Sequence, residues 1–391
     1  MKNNQIGFKT SILSISILLT SANAIAGSIP GLKQEFNTVS ATQIESLVTI
    51  PSVTVLIFVL LSTKITQWFT ERQVVATGMI TIFVAGVISY LAPSFWILYL
   101  ARLLLGMGVG LFNAFAYSMI SEYFDGDERQ RLLGYERAIT SLGNIVMFII
   151  TAGLVLIGWR AVNLYYLITV PILVIFLWGT RKMPNSLQEQ STSESTTDQE
   201  IQRNPFSPKL IVLFLLVMFS MFVSTTVVVK IADLVVGSGY GNEFQATIGL
   251  AILGFATMVG GALYGKLHKV LARFILPIGL IGAALAIMGM TISRQMIFTY
   301  LMAAFAGLTT SLVGPYLFAQ SASIAGLGHE TFSSAVLIVG INVGVILTPY
   351  ALNLVQNMVG NHQPQAVLSI VGILMGVVGL LTLFIKENPS S

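Results

Sequence analysis

The sequence contains no cysteine, only three histidines and very little charge. Charged residues make up 9% of the 391 residues, whereas about 25% is usual in soluble domains. Without cysteine the chain can form no disulfide, thiolate nucleophile or cysteine-based metal site. The histidines His268, His329 and His362 are the remaining imidazole ligands. The composition therefore argues against a soluble domain and against metal chemistry.

Long apolar runs are abundant instead. Hydrophobic residues make up 55% of the chain, and the mean hydropathy is +0.83. A helix needs about 20 mostly apolar residues to cross a hydrocarbon layer of roughly 30 Å. Twelve segments meet this criterion, which predicts an all-α integral membrane protein embedded in the lipid bilayer. They cover residues 10–30, 42–62, 74–92, 95–119, 132–157, 161–179, 210–232, 245–264, 274–292, 296–320, 331–355 and 366–385.

The first apolar run has an alternative interpretation. Lys2 and Lys9 precede it and it ends in ANAIAGS, which resembles a signal peptide with a small-residue cleavage site. Cleavage would leave eleven spans and remove the symmetry between the two halves of the chain. We therefore interpret the run as the first span.

The basic residues predict the orientation. A net charge of +4 could indicate nucleic acid as a partner, but in membrane proteins Lys and Arg usually follow topology. With a cytoplasmic N-terminus, fifteen of the 20 basic residues fall inside. Four fall outside, Lys33, Arg160, Lys230 and Arg294, and Arg102 lies within the membrane. This distribution predicts a multi-pass protein of the inner or plasma membrane, with both termini cytoplasmic and no nucleic-acid partner.

A polar segment separates the sixth and seventh predicted spans. It reads RKMPNSLQEQSTSESTTDQEIQRNPFSPK and holds three prolines and almost no apolar residue. Such a composition cannot bury a core. It predicts a flexible cytoplasmic linker at residues 183–208, between six-helix halves at residues 1–182 and 209–391.

The two halves show signs of a duplication. TKITQWFTERQVV at 63–75 follows the second span and GKLHKVLARFILP at 265–277 follows the eighth, an offset of 202. Gly106 and Gly307, and also Gly143 and Gly344, are related by an offset of 201. Repeated six-helix halves about an axis normal to the membrane are one way to build a transporter, with the substrate held between them.

The fourth predicted span carries a recognisable motif. Arg102 is followed by Gly106, Gly108 and Gly110, which resembles the fourth-helix motif of the major facilitator superfamily. That resemblance implies two six-helix pseudo-repeats whose first, fourth, seventh and tenth helices line a central cavity. It also implies a monomeric secondary transporter of small molecules, driven by the proton gradient without a bound cofactor.

The sequence departs from that family at two other motifs. In the loop after the second span, Gln67 takes the position of the family's Asp. In the fifth span, Met147 and Phe148 occupy the Gly-Pro positions of the drug/proton antiporters. The tripeptide GWR at 158–160 is nevertheless similar to bacterial exporters of the family.

Arg102 is the deepest predicted charge. A charge at the bilayer centre costs at least about 2.5–3.5 kcal/mol, so such residues generally face a cavity or a partner. Arg102 is predicted roughly 10 Å below the outer surface and Glu45 roughly 5 Å below it. We expect Arg102 to line the cavity with Glu45 as its counter-charge, a pair that could couple transport to a proton. Alternatively, both side chains snorkel to the outer interface.

The glycines of the same span have a packing interpretation. Gly106 and Gly110 are four residues apart, which lets helix backbones approach closely. A nucleotide-binding role for GMGVG is excluded, because that fingerprint requires a preceding strand. The same packing role is predicted for three further pairs, Gly261 with Gly265, Gly340 with Gly344, and Gly372 with Gly376.

Two more charges are predicted at the outer end of the seventh span. Lys230 and Asp233 are three residues apart, so they share a helix face and can pair. They are expected to cap the helix at the interface or, alternatively, to contact substrate or form a gate. Glu136 and Arg137 are expected to reach water at the cytoplasmic start of the fifth span. With no other intramembrane acid, a neutral, anionic or amphipathic substrate is favoured over a dedicated cation.

Polar residues on the predicted spans are candidates for the cavity wall. They are Asn23, Asn113, Tyr117, Thr226, Tyr316, Gln320, Asn342 and Tyr350. Each could equally satisfy a neighbouring backbone group.

The sequence as a whole predicts alternating access with proton-coupled efflux of drug- or sugar-type compounds. The alternatives are an importer of organic anions or sugars and, from another class, a non-transporting sensor or scaffold. No ATP-binding or catalytic motif indicates an enzyme.

Overall fold

The architecture is a bundle of membrane-length helices. The computed structural model describes residues 2–181, 208–325, 330–361 and 363–384. In this part of the chain the α-helices are Lys2–Ile15, Ile29–Glu35, Ala41–Thr49, Pro51–Ile65, Glu71–Leu91, Phe95–Tyr123, Gly126–Val155, Trp159–Val162, Thr169–Gly179, Pro208–Gly237, Glu243–Leu271, Ile275–Ile292, Met296–Ala325, Glu330–Val359 and Pro364–Thr382. Short 3₁₀ segments are Ser16–Leu18, Ser21–Ser28, Asn163–Ile168 and Ala272–Phe274. The predicted linker lies outside the described residues except for Pro208.

These helices form twelve stretches long and apolar enough to cross a membrane, which we number as spans 1 to 12. Each overlaps one predicted segment, so the predicted fold class is confirmed. The spans are Gly7–Glu35, Ala41–Ser62, Glu71–Leu91, Phe95–Asn113, Gly126–Val155, Trp159–Gly179, Pro208–Gly237, Glu243–Leu271, Ile275–Ile292, Met296–Ser321, Ser333–Val359 and Pro364–Thr382.

Local sequence explains where several spans begin. Capping boxes, in which the side chains of the first and fourth residues bond each other's backbone N–H, start span 2 at Ser40, span 3 at Thr70 and span 8 at Asn242. Each satisfies backbone donors that the helix itself leaves unpaired. Span 5 starts at Gly126, earlier than predicted, because Asp127 in its first turn favours the positive end of the helix dipole.

Three spans of the first half are interrupted, and in span 6 the break is the 3₁₀ segment Asn163–Ile168. Span 1 changes from α-helix to 3₁₀ geometry between Ser16 and Ser28. At the end of this segment the Ser28 hydroxyl donates to the Ile25 oxygen at 2.8 Å, a local bond of the kind that competes with regular helix geometry. Span 2 is divided at Pro51, which cannot donate a backbone hydrogen bond. Span 7 is the counterpart of span 1 in the second half, and it is one continuous helix, Pro208–Gly237.

The two halves repeat the same helix contacts. Span 1 packs on span 5, span 2 on span 4, and span 3 on spans 4 and 6. In the second half span 7 packs on span 11, span 8 on span 10, and span 9 on spans 10 and 12. Spans 5 and 8, and spans 2 and 11, meet across the boundary between the halves. This repetition supports the predicted duplication.

Glycines at matched positions make these contacts close. A Cβ at Gly106 would lie 2.2 Å from the Pro51 oxygen, and one at Gly307 would lie 2.3 Å from the Leu253 oxygen. The two glycines are 201 residues apart, and the residues that they contact, Pro51 and Leu253, are 202 residues apart. A Cβ at Gly143 would likewise approach Ile17, and one at Gly344 would approach Met218, again at an offset of 201.

The remaining predicted glycine contacts differ from one another. Gly110 packs on Val55 and Phe58 of span 2, as expected for a pair with Gly106, whereas Gly108 packs on Gly78 of span 3. Gly340 meets span 7 beside Gly344, and Gly372 and Gly376 meet span 9. The prediction is wrong for Gly261 and Gly265, since a Cβ at either would meet no described atom within 4 Å.

The halves are joined at one end of the bundle. This end carries residues 36–40, 92–94, 156–158, 238–242, 293–295, 360–361 and 363. We call it the predicted outer end because the charge rule places it outside. Here Val229, Ala232 and Val235 of span 7 and Ala246 and Leu250 of span 8 belong to the hydrophobic cluster of the first half. The rest of the second half contributes to a separate cluster. An apolar seam therefore holds the halves together at this end.

Candidate functional site

Four charged side chains meet within the seam. Lys33 Nζ donates to Glu45 Oε1 at 2.9 Å and to Asp233 Oδ2 at 2.5 Å. Lys230 Nζ donates to the same Glu45 oxygen at 2.6 Å. We call Lys33, Glu45, Lys230 and Asp233 the four-charge network. Lys33 and Glu45 belong to the first half and the other two to the second, so the network joins the halves by ion pairs.

Local structure places these side chains together. Lys33 lies on the short helix Ile29–Glu35 that ends span 1, and Glu45 lies on the first helix of span 2. Lys230 and Asp233 share one face near the end of span 7. The end of span 1 packs on span 7, which brings the two pairs of charges into contact.

Burial makes the network energetically sensitive. The side chains of Glu45 and Lys230 are each 3% exposed, that of Asp233 is 11% exposed and that of Lys33 is 26% exposed. Such pairs repay their desolvation only with good geometry, and removing one partner of a buried pair typically costs about 3–5 kcal/mol. The positive and negative charges of the network balance, so each side chain stabilises an opposite charge.

A close helix contact lies next to the network. A Cβ at Gly31 would lie 3.2 Å from Glu243 Oε1 of span 8, and one at Gly27 would lie 2.0 Å from Thr247 Oγ1. Glu243 also accepts a hydrogen bond from the Gly31 backbone. Spans 1 and 8 therefore approach each other across the seam through two glycines four residues apart.

Further polar contacts cross the seam at the predicted outer end. Asn353 Nδ2 of span 11 donates to Thr42 Oγ1 of span 2 at 2.5 Å. The Tyr99 hydroxyl of span 4 contacts Tyr350 of span 11 and Ser46 of span 2. The cross-half hydrogen bonds and ion pairs named here all lie toward this end, which is closed in the structure.

Arg102 does not pair with Glu45, so that prediction is wrong. Its side chain is 0% exposed. Its Nε donates to the Leu47 oxygen at 2.9 Å, its Nη1 donates to the Tyr166 hydroxyl at 2.8 Å, and its Nη2 donates to the Ala22 oxygen. The irregular backbone of span 1 provides the Ala22 acceptor, and span 2 provides the Leu47 acceptor just before its interruption at Pro51. Complete burial also rules out snorkelling.

Tyr166 completes this arrangement. Its hydroxyl donates to the Ser21 oxygen at 2.9 Å, so Arg102 and Tyr166 bind two successive carbonyls in the 3₁₀ segment of span 1. At an offset of 201, Ala303 and Val367 stand in their places in the second half, where span 7 is continuous. The cation and the interrupted helix therefore occur together. Sequence analysis recognised Arg102 but missed Tyr166, which follows another tyrosine in an apolar segment.

Lys230 and Asp233 also differ from their prediction. They share a helix face as expected, but Lys230 bonds Glu45 and Asp233 bonds Lys33 across the seam. Both side chains are buried, so they do not cap the helix in water. The alternative roles, contact with substrate or a gate, stay predictions. Sequence analysis treated Lys33 only as a marker of orientation.

The prediction for Glu136 is also wrong. This residue was expected to reach water, yet it is 0% exposed and its carboxylate accepts a hydrogen bond from Thr140 Oγ1 at 2.9 Å. Span 5 packs on spans 1 and 8, and Glu136 lies on a face of this span that the bundle covers. The bundle therefore contains a buried acid that weakens the argument against cationic substrates.

The polar cavity candidates lie in different environments. Thr226 is buried and donates to the Phe222 oxygen, and Asn342 donates to the Ile338 oxygen, so both bond their own helices. Tyr316 is buried, whereas Tyr350 is 51% exposed. Asn23, Asn113 and Gln320 are partly buried, and the side chain of Tyr117 lies outside the described residues. Substrate contact stays a prediction for the whole set.

Metal binding has no structural support in the described residues. No group of three His, Asp or Glu side chains in this part of the chain is placed to hold a metal ion. His329 and His362 lie outside the described residues.

Solved transporters have the same fold. A POT family transporter in complex with 5-aminolevulinic acid matches with a TM-score of 0.77 at 11% identity, over 98% of this chain and 95% of that one. A D-xylose–proton symporter matches with a TM-score of 0.75 at 15% identity, over 97% of each chain. A bacterial homologue of the human lysosomal transporter Spinster, inward-facing and unoccupied, matches with a TM-score of 0.72 at 16% identity, over 97% and 94%.

Sequence comparison assigns the family. None of the curated protein sequences gives a significant match. The profile described as Major Facilitator Superfamily matches residues 11–349, which is most of the chain and includes the Arg102 motif. The protein therefore belongs to the major facilitator superfamily of membrane transporters.

Proposed function

We propose that this transporter moves small organic compounds by alternating access between its two six-helix halves. The four-charge network is the observation that carries the proposal. It joins the halves at the predicted outer end through side chains that are mostly buried, and opening this end requires its cross-half ion pairs to break. A central substrate would then be exposed alternately to the two sides of the membrane.

Proton-coupled efflux of drug- or sugar-type compounds is our preferred form of this function. The GWR segment, similar to bacterial exporters, supports export. Intramembrane carboxyl groups such as those of Glu45, Asp233 and Glu136 are a common means of coupling transport to protons. Import of sugars or organic anions is the second candidate, supported by the fold shared with a D-xylose–proton symporter. The two candidates differ in the direction of substrate movement relative to the proton.

Flux measurements test both forms. Purified protein would be screened by thermal shift against monosaccharides, organic anions and ethidium-type dyes. Stabilising compounds would then be tested in proteoliposomes loaded with the pH dye pyranine. Efflux coupling predicts that proton and substrate move in opposite directions, and import predicts the same direction. Flux that ignores an imposed proton gradient would remove proton coupling. Absence of flux for every stabilising compound would favour the sensor interpretation.

A further inference from the structure

The four-charge network is divided evenly between the halves. The first half contributes Lys33 and Glu45, and the second contributes Lys230 and Asp233. Each half therefore carries one positive and one negative charge. When the halves separate, neither part of the network is left with a net charge.

Each half can also pair its own charges. Lys33 and Glu45 already bond at 2.9 Å. Lys230 and Asp233 are three residues apart on one helix, a spacing at which side chains are neighbours and can form ion pairs. In the closed seam their charged groups bond Glu45 and Lys33 instead. Lys230 therefore has a second partner within reach on its own helix.

A fifth charge, Glu243, lies next to the network. It is the first residue of the helix Glu243–Leu271, where the positive end of the helix dipole favours a negative charge. It accepts a hydrogen bond from the backbone of Gly31 and repels the Asp233 carboxylate. Among the described residues it forms no ion pair with Lys33 or Lys230, so the exchange of partners involves the four charges of the network.

We propose that the network exchanges partners as the transporter opens. In the closed seam Lys230 bonds Glu45 and Lys33 bonds both acids. In the open state Lys33 keeps Glu45, and Lys230 moves to Asp233 on its own helix. No charge loses all of its counter-ions in either state, so opening avoids the cost of a buried unpaired charge. This inference rests on the proposed alternating access and specifies how its outer closure works.

Two single variants separate exchange from a simple latch. Glu45→Gln leaves Lys230, which is 3% exposed, without a partner in the closed seam. In the open state Lys230 can pair with Asp233, and the unpaired side chain is Lys33, which is already 26% exposed and costs less to leave unpaired. This variant should therefore open the seam. Asp233→Asn leaves both lysines on Glu45 in the closed seam but removes the partner of Lys230 in the open state. It should therefore leave the seam closed. In a simple latch the ion pairs only hold the halves together and no side chain changes partner. Such a latch predicts that both variants open the seam.

The seam can be monitored by cysteine labelling, because the chain has no cysteine of its own. Ala246→Cys places a thiol at a fully buried seam position, which a membrane-impermeant maleimide reaches only after opening. Thr38→Cys, in an exposed turn at the same end, is the labelling control. We expect Glu45→Gln to increase the labelling rate at position 246 by at least about tenfold and Asp233→Asn to leave it near the starting value. Equal increases in both variants would overturn the proposal.

A charge reversal gives an independent test. Lys230→Asp combined with Asp233→Lys keeps an ion pair within span 7 but places like charges across the seam, so position 246 should label rapidly. Adding Lys33→Glu and Glu45→Lys restores opposite charges across the seam and should return labelling to the starting rate. Failure of this rescue in a variant that elutes as a folded protein would also overturn exchange.

The labelling experiment tests the exchange of partners, and the flux experiment tests the transport function, so either proposal can be rejected without the other. Labelling needs no substrate, so the expected pattern in a protein without flux would retain the exchange and reject the proposed transport function. Normal flux with equal labelling of the two single variants would retain transport and reject the exchange. The single variants Glu45→Gln and Asp233→Asn nearly conserve side-chain volume. If the charge-reversed protein does not fold, the labelling rates of these two variants still distinguish exchange from a simple latch.

Discussion

Arg102 illustrates how a buried cation can be stabilised without a carboxylate. Three oxygen acceptors bind its guanidinium group, two from the backbone and one from Tyr166. Backbone oxygens are available because spans 1 and 2 are interrupted beside it. The cost of burying the charge is thus offset by hydrogen bonds, and those bonds fix the geometry of span 1. The bond from Arg102 to the Ala22 oxygen lies in the same span that carries Lys33 at its end.

Tyr166→Phe should destabilise the protein. The change removes the acceptor of an Arg102 N–H and the donor to the Ser21 oxygen. Leaving a buried donor without a partner typically costs about 1–3 kcal/mol, and more when the donor belongs to a charged group. Tyr165→Phe is the matched control, because the Tyr165 hydroxyl is buried and has no hydrogen-bond partner among the described residues. Thermal unfolding in detergent should show a lower melting temperature for Tyr166→Phe and an unchanged melting temperature for Tyr165→Phe. Equal melting temperatures for the two variants would contradict this assignment.

At the scale of the helices, glycine determines how closely spans 2 and 4 can approach. Lipid provides no hydrophobic driving force between helices, so close backbone contact carries much of the association. Gly106 and Gly110 face span 2, and Gly108 faces span 3. Span 4 thus packs on two neighbours through one motif, which keeps Arg102 against the interrupted backbone of span 1.

Gly106→Ala should weaken the bundle. The new methyl group would lie 2.2 Å from the Pro51 oxygen and from Thr54 Oγ1, and such overpacking typically costs about 1–3 kcal/mol. Gly307→Ala should have a similar effect through the Leu253 oxygen. Gly153→Ala is the control, since its methyl group meets no described atom within 4 Å and alanine favours a helix interior. Unfolding curves that rank Gly153→Ala as the most harmful change would refute the packing assignment.

For the whole molecule, sequence predicted the helices better than the contacts between the halves. Hydropathy gave twelve spans because each must satisfy its own backbone in lipid. The four-charge network depends on residues about 200 positions apart, and helical periodicity carries no information on such distances. One signal was present, since Lys33 and Asp233 are related by an offset of 200, close to the repeat offset of 201. Equivalent positions near a pseudo-two-fold axis meet each other, so matched charges there indicate a contact.

The contact between spans 2 and 11 gives the last prediction. Thr42 and Asn353 lie in different halves with 2.5 Å between their polar atoms, so cysteines at both positions can be joined by a short reversible cross-linker. If transport requires the predicted outer end to open, the cross-link should abolish flux in proteoliposomes, and a reductant should restore it. Ser238 and Gln365 are the matched control pair, because their polar atoms are also 2.5 Å apart but both belong to the second half. Cross-linking them should leave flux intact. Undiminished flux through a fully cross-linked Thr42→Cys/Asn353→Cys variant would mean that substrate crosses without separation of the halves at this end.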